Sequence, residues 1–286
     1  MISDITLGQF FPGKSLIHRL DPRTKIILAT LFIISVFLAT NPVSFVVLAL
    51  TTVVLIAVSG ISFRVIRKSI KPIVFILIFT ALLNIFMTKG EGEPLLSLWK
   101  LEIYTEGVAR AVMMALRVII LIVGTSVLLT YTTSPISLTD GLEALLSPLK
   151  KIGLPVHTFA MMMSIALRFI PTLVEETEKI MNAQKSRGAD FTSGSLAQRA
   201  KALIPLLVPL FVSSFKRAEE LATAMECRCY RGDKNRTKLV KLEYKGLDFG
   251  FMCIFAILLV GLICLTVLPY NYPSFGIIYD ILFFKV

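Results

Sequence analysis

The segment with the clearest chemical pattern lies near the N-terminus, where Gly8-Gln9-Phe10-Phe11-Pro12-Gly13-Lys14-Ser15 fits G-x-x-x-x-G-K-S, the loop that cradles nucleotide phosphates. That chemistry needs a buried strand before the loop and a helix opening after it, so that N-terminal amides face the phosphate. Neither condition is met. Only seven residues precede Gly8, Phe-Phe-Pro fills the loop, Pro22 interrupts soon afterwards, and the rest of the chain leaves no room for a parallel sheet. The same residues read as a lead-in at headgroup level, with Phe10 and Phe11 in the interface and Lys14, Arg19 and Arg23 near phosphates. Asp21 can cap the helix that follows.

Other reactive residue types are sparse. Cys227 and Cys229 form a C-x-C pair with no second pair, and His18 and His157 are the only histidines, so neither a metal site nor a cofactor is expected. Cys253 and Cys264 sit inside an apolar run and imply no disulfide framework. No paired carboxylates or Ser/His/Asp set occur in the apolar segments, so the chain is not expected to be an enzyme. Arg110 and Arg117 are seven apart and share a helix face, about 10 Å from each other along the axis. Arg110 can snorkel to an interface. Arg117 lies deeper and must find carbonyls, water or a partner, either as helix-packing glue or in substrate passage.

The elements that carry these residues belong in a membrane. The 286 residues are 55% hydrophobic and 17% charged, with a mean hydropathy of +0.78, and charge-free runs recur. Such continuous runs call for helices, which satisfy their own backbone hydrogen bonds. The run 26–63 is charge-free and too long for one crossing; Asn41-Pro42 divides it into spans at about 25–40 and 43–60. Further spans fall between Lys71 and Lys89, from Gly107 to about Tyr131, and from Phe249 to about Leu268. Lys14, Arg19, Arg23 and Lys25 before the first span, and Arg64, Arg67, Lys68 and Lys71 before the third, put the N-terminus and that loop in the cytoplasm. Segment 132–247 then stays inside with 17 of the 30 Lys and Arg residues. Headgroup attraction accounts for this basic charge without a nucleic-acid partner. Leu154 to Val174 is apolar enough to cross, but Arg168 within it argues for amphipathic helices at the cytoplasmic interface, bent at Pro171, Pro205 and Pro209.

Two long helices follow from this reading. One runs from Pro155 to Arg187 with Gly188 as its left-handed cap; the other starts at the N-cap Ser195 and ends Arg228, Tyr230, Arg231 before Gly232. A shift of 44 residues matches Glu175, Glu176, Met181 and Arg187-Gly188 to Glu219, Glu220, Met225 and Arg231-Gly232, a weak internal repeat. A guanidinium beyond a helix end can plug a partner's groove with several directional hydrogen bonds, and two such ends suggest two similar partners.

The run from Gly13 to Lys25 (GKSLIHRLDPRTK) and the motifs Ser186-Arg187-Gly188 and Tyr230-Arg231-Gly232 closely resemble the transmembrane T component of energy-coupling factor transporters, the EcfT/CbiQ family. Alanine often stands first in that family's motif, where this chain has Ser186 and Tyr230. The resemblance implies a scaffold in the cell (inner) membrane that links a membrane substrate-binding S component to two cytoplasmic ABC-type ATPases, each docked on one x-Arg-Gly motif, for vitamin or transition-metal uptake. The expected architecture is all-α and polytopic, with about five transmembrane helices and long cytoplasmic amphipathic coupling helices. Its expected parts are a cytoplasmic segment 1–24, a membrane module 25–131 of about four spans, a coupling-helix module 132–247 and a C-terminal membrane segment 248–286. The competing reading, a self-contained secondary transporter, calls for midplane ionisable residues and broken helices in two related halves, which the sequence does not display.

Overall fold

A computed structural model describes residues 10–87, 96–98, 101–189, 191, 195–232 and 242–267. Most of them are helical, joined by turns and short irregular stretches, and Leu96–Leu98 pairs antiparallel with Leu101–Ile103. The described residues divide into two compact units, one containing those from 10 to 134 and from 242 to 267, the other those from 135 to 232.

The first unit is built around α1 (Pro22–Leu38). Asp21 caps it, its carboxylate accepting the Arg23 N–H at 2.9 Å, and Pro22 supplies the preset φ of the first turn. The expected break is present: Ala39 leaves the helical region, and α2 (Pro42–Ser59) starts with its own proline. Gly60, at φ 68°, ends α2 in the left-handed region. Then come α3 (Phe63–Ile70), a 3-10 turn at Lys71–Ile73 and α4 (Val74–Met87). Helix α5 (Thr105–Thr125) runs into a π-helical segment, Ser126–Thr130, and α9 (Gly246–Val267) closes the unit.

Leu28, Phe32 and Val36 of α1 are fully buried against Leu48, Val127, Leu128, Phe255 and Leu262. Helix α1 approaches α5 closely at Gly124, where an added Cβ would lie 2.2 Å from the Phe32 ring. The outer faces are apolar instead of polar: Val46 and Leu50 of α2, Phe75 of α4 and Ile257 of α9 are each at least 66% exposed. Such surfaces suit hydrocarbon, where burial of charge and not of apolar area organises the interior.

The second unit contains α6 (Pro135–Leu146), a 3-10 segment Ser147–Ile152, α7 (Val156–Ser186) and α8 (Leu196–Cys227). Glu143 and His157, both 8% exposed, pair at 2.9 Å between α6 and α7. Helix α7 continues through Pro171 and α8 through Pro205 and Pro209.

By length and apolar character, five stretches among the described residues can cross a bilayer: α2, Phe63–Met87, Gly107–Thr130, α7 and α9. The set differs from the sequence-based one in including α7 and leaving out α1. Helix α1 has 17 residues, about 26 Å at 1.5 Å per residue against about 30 Å of hydrocarbon. Helix α7 enters on its apolar first half, although Arg168 stands exposed on its surface.

Candidate docking site

The two long helices of the second unit are pinned to each other. Ser213 of α8 donates to Glu176 of α7 at 2.9 Å, and Arg217, one turn further on, pairs with the other oxygen of the same carboxylate. Glu220, the counterpart of Glu176 in the 44-residue repeat, is exposed, so the repeat does not extend to this clamp.

Helix α7 ends as the sequence suggests. The Gly188 N–H bonds to the Lys185 carbonyl and the Ala189 N–H to the Gln184 carbonyl, a Schellman closure with Gly188 at φ 86°. Arg187 occupies the C-cap at φ −88°, ψ 5°, and both it and Ser186 are exposed.

Helix α8 ends differently from the expectation. It stops at Cys227, and its left-handed residue is Cys229 at φ 57°, not Gly232. The Cys229 N–H bonds to the Glu226 carbonyl and the Tyr230 N–H to the Met225 carbonyl, the same closure as in α7. Arg228, at φ −90°, ψ 15°, therefore stands where Arg187 stands on α7. Arg231 is exposed three residues beyond, followed by Gly232 at φ 78° and preceded by the half-buried Tyr230. By sequence Arg228 was only part of the helix ending, and its equivalence to Arg187 comes from the cap geometry. The search for Arg-Gly hid it, because a cysteine carries the glycine's conformation here. Helix α8 begins as expected, with Ser195 and Gln198 forming a capping box.

The other candidate arginines lie in the first unit. Arg117 donates to the Ala39 carbonyl at 2.6 Å, and its guanidinium lies 5.3 Å from the Phe45 ring centroid. A cation at the C-terminus of α1 satisfies an orphan carbonyl and suits the helix dipole, so its geometry is that of helix-packing glue. Arg110 is exposed two turns earlier.

The described part of the G-x-x-x-x-G-K-S segment does not form a phosphate cradle. No helix opens until Pro22, and the Ser15 hydroxyl lies 2.6 Å from His18 Nδ1. His18 Nε2 is 3.0 Å from the Phe11 carbonyl, which can only accept, so Nε2 carries a proton there. Arg23 forks onto Asp21 and lies 4.3 Å from the centroid of the Tyr244 ring. Lys25, grouped by sequence with the headgroup-facing cations, is instead 2% exposed and donates to the Thr132 carbonyl at 2.8 Å and the His18 carbonyl at 3.3 Å. Fully buried Asp248 accepts the Asp21 N–H at 2.9 Å and the Lys245 N–H at 2.7 Å. The run from Ser15 to Lys25 is thus a junction tying the head of α1 to the head of α9 and to Thr132, just past the π-helical segment.

A helical protein with several bilayer-length apolar helices is a multi-pass membrane protein, and comparison with known proteins assigns its family. Residues 13–239 match the family described as cobalt transport protein, CbiQ. The energy-coupling factor transporter transmembrane protein EcfT of Clostridium kluyveri is 52% identical over 94% of this chain and 97% of its own length. The proteins of the same name from Bacillus subtilis and Heliobacterium modesticaldum are 52% and 53% identical, each over 87% of this chain and 93% of the relative. The chain belongs to this family of transporter membrane components.

Proposed function

We propose that the chain is the coupling scaffold of an energy-coupling factor importer for vitamins or transition-metal ions, joining two cytoplasmic ABC-type ATPases to a membrane S component that binds the substrate. The observation that carries this reading is the pair of exposed arginines, Arg187 and Arg228, held in one helix-cap geometry at the ends of two mutually clamped helices. Each C-cap carries an exposed planar donor fork, and two like forks suit two like partners. Arg231 with Tyr230 and Gly232 extends the second contact. On this reading the N-terminus and the 132–247 module lie in the cytoplasm, and α7 and α8 rest at the membrane surface as levers. Closure of an ATPase pair would move both helix ends together, and the Glu176–Arg217 clamp would carry that displacement into the S component.

The test is single charge reversal in the assembled transporter. Arg187→Glu should remove one ATPase contact and abolish ATP-driven uptake, and Arg228→Glu should do the same at the other helix end. Arg231→Glu in parallel measures how much of the second contact lies beyond the cap. Full uptake in the Arg187→Glu and Arg228→Glu variants would refute the docking assignment.

A further inference from the structure

The short helix α3 carries a charge pattern that docking does not use. Arg64, Arg67 and Lys68 of α3 and Lys71 at its C-cap fall at i, i+3, i+4 and i+7, within an arc of about 100° on the helix surface. The opposite face holds Ile66, 3% exposed, and Ser69, whose hydroxyl bonds to that of Tyr131. All four cations are exposed, and among the described residues none of them forms an ion pair.

Length adds a second argument. The run of α3, the 3-10 turn and α4, Phe63–Met87, holds 25 residues, about 37 Å at the α-helical rise against about 30 Å of hydrocarbon, which leaves length for one end to reach headgroup level. Segment 72–87 has no charge, so the emerging end is the cationic one. A groove there is lined by all four cations together with Phe63, Ile70 and Val74, and Phe63 is 75% exposed. A row of cations beside exposed apolar side chains suits an amphiphile that carries a phosphate on an acyl chain.

We infer that α3 forms a binding site for an acidic phospholipid, the four cations holding the headgroup phosphate while Phe63 and Val74 contact its acyl chain. The site fixes the depth of α3 and α4 at the interface and does not depend on the docking reading.

The experiment places the full chain in nanodiscs of phosphatidylcholine with and without phosphatidylglycerol and measures retained lipid by native mass spectrometry. Wild type should retain phosphatidylglycerol selectively. Each of Arg64→Gln, Arg67→Gln, Lys68→Gln and Lys71→Gln should weaken retention about fivefold, and the quadruple variant far more. Arg110→Gln, exposed elsewhere on the same unit, should leave retention unchanged. Equal retention by wild type and the single variants would overturn the proposal. Displacement of the lipid by millimolar inorganic phosphate would also overturn it, since the site would then be one for a free anion.

Discussion

Arg117 and Cys229 carry the sharpest residue-scale predictions. Arg117→Gln removes the guanidinium that closes α1 at Ala39 and should destabilise the purified chain by about 2 kcal/mol, read as a lowered unfolding temperature in detergent. If Arg117 served substrate passage instead, uptake would fall while stability stayed at the wild-type value. Cys229→Gly should raise stability by about 1 kcal/mol, because the left-handed conformation strains any side chain, and should leave ATPase docking intact. An unchanged or lower unfolding temperature would contradict that account of the α8 cap. What was legible here was type and depth: an arginine well inside an apolar helix needs a partner. The partner was not legible, because Ala39 lies 78 positions away and contributes a backbone carbonyl that any residue would offer. Lys25 shows the opposite failure. A lysine in a basic run reads as solvated, and only the packed structure reveals that two carbonyls hold it.

Among the elements, the helix starts were readable because their chemistry is local. Asp21-Pro22, Asn41-Pro42 and Ser195 each open a helix where expected. Irregular elements were not: the π-helical Ser126–Thr130 and the short hairpin have no strong local signature, and the α8 terminus was misplaced by following glycine. The packing between elements yields two predictions. Asp248→Ala strips the acceptor from two backbone N–H groups, one at the head of α1 and one at the head of α9. It should cost about 3 kcal/mol and expose an engineered cysteine at position 25 to thiol reagents. Gly124→Leu places a side chain into the Phe32 ring and should lower stability by about 1–3 kcal/mol or more, whereas Gly261→Leu on the open face of α9 should be nearly neutral. Equal effects at the two glycines would contradict the close α1–α5 approach.

For the whole molecule, composition identified the membrane class and charge placement organised it. The net +11 gathers ahead of α1, on α3 and in 132–247, while the span-length helices present apolar surfaces outward. By length and apolar character α7 is long enough to cross and α1 falls short. Within their own units the two are held differently: α1 packs its Leu28, Phe32 and Val36 into the core of one, and α7 is clamped to α8 in the other. The central claim is that the exposed helix-end arginines hold two ATPases, and subunit stoichiometry tests it most directly. Native mass spectrometry of the purified transporter should find two ATPases per chain in the wild type. In the Arg187→Glu, Arg228→Glu, Arg231→Glu triple variant it should find none, with the S component still bound. Two ATPases retained on the triple variant would contradict the account.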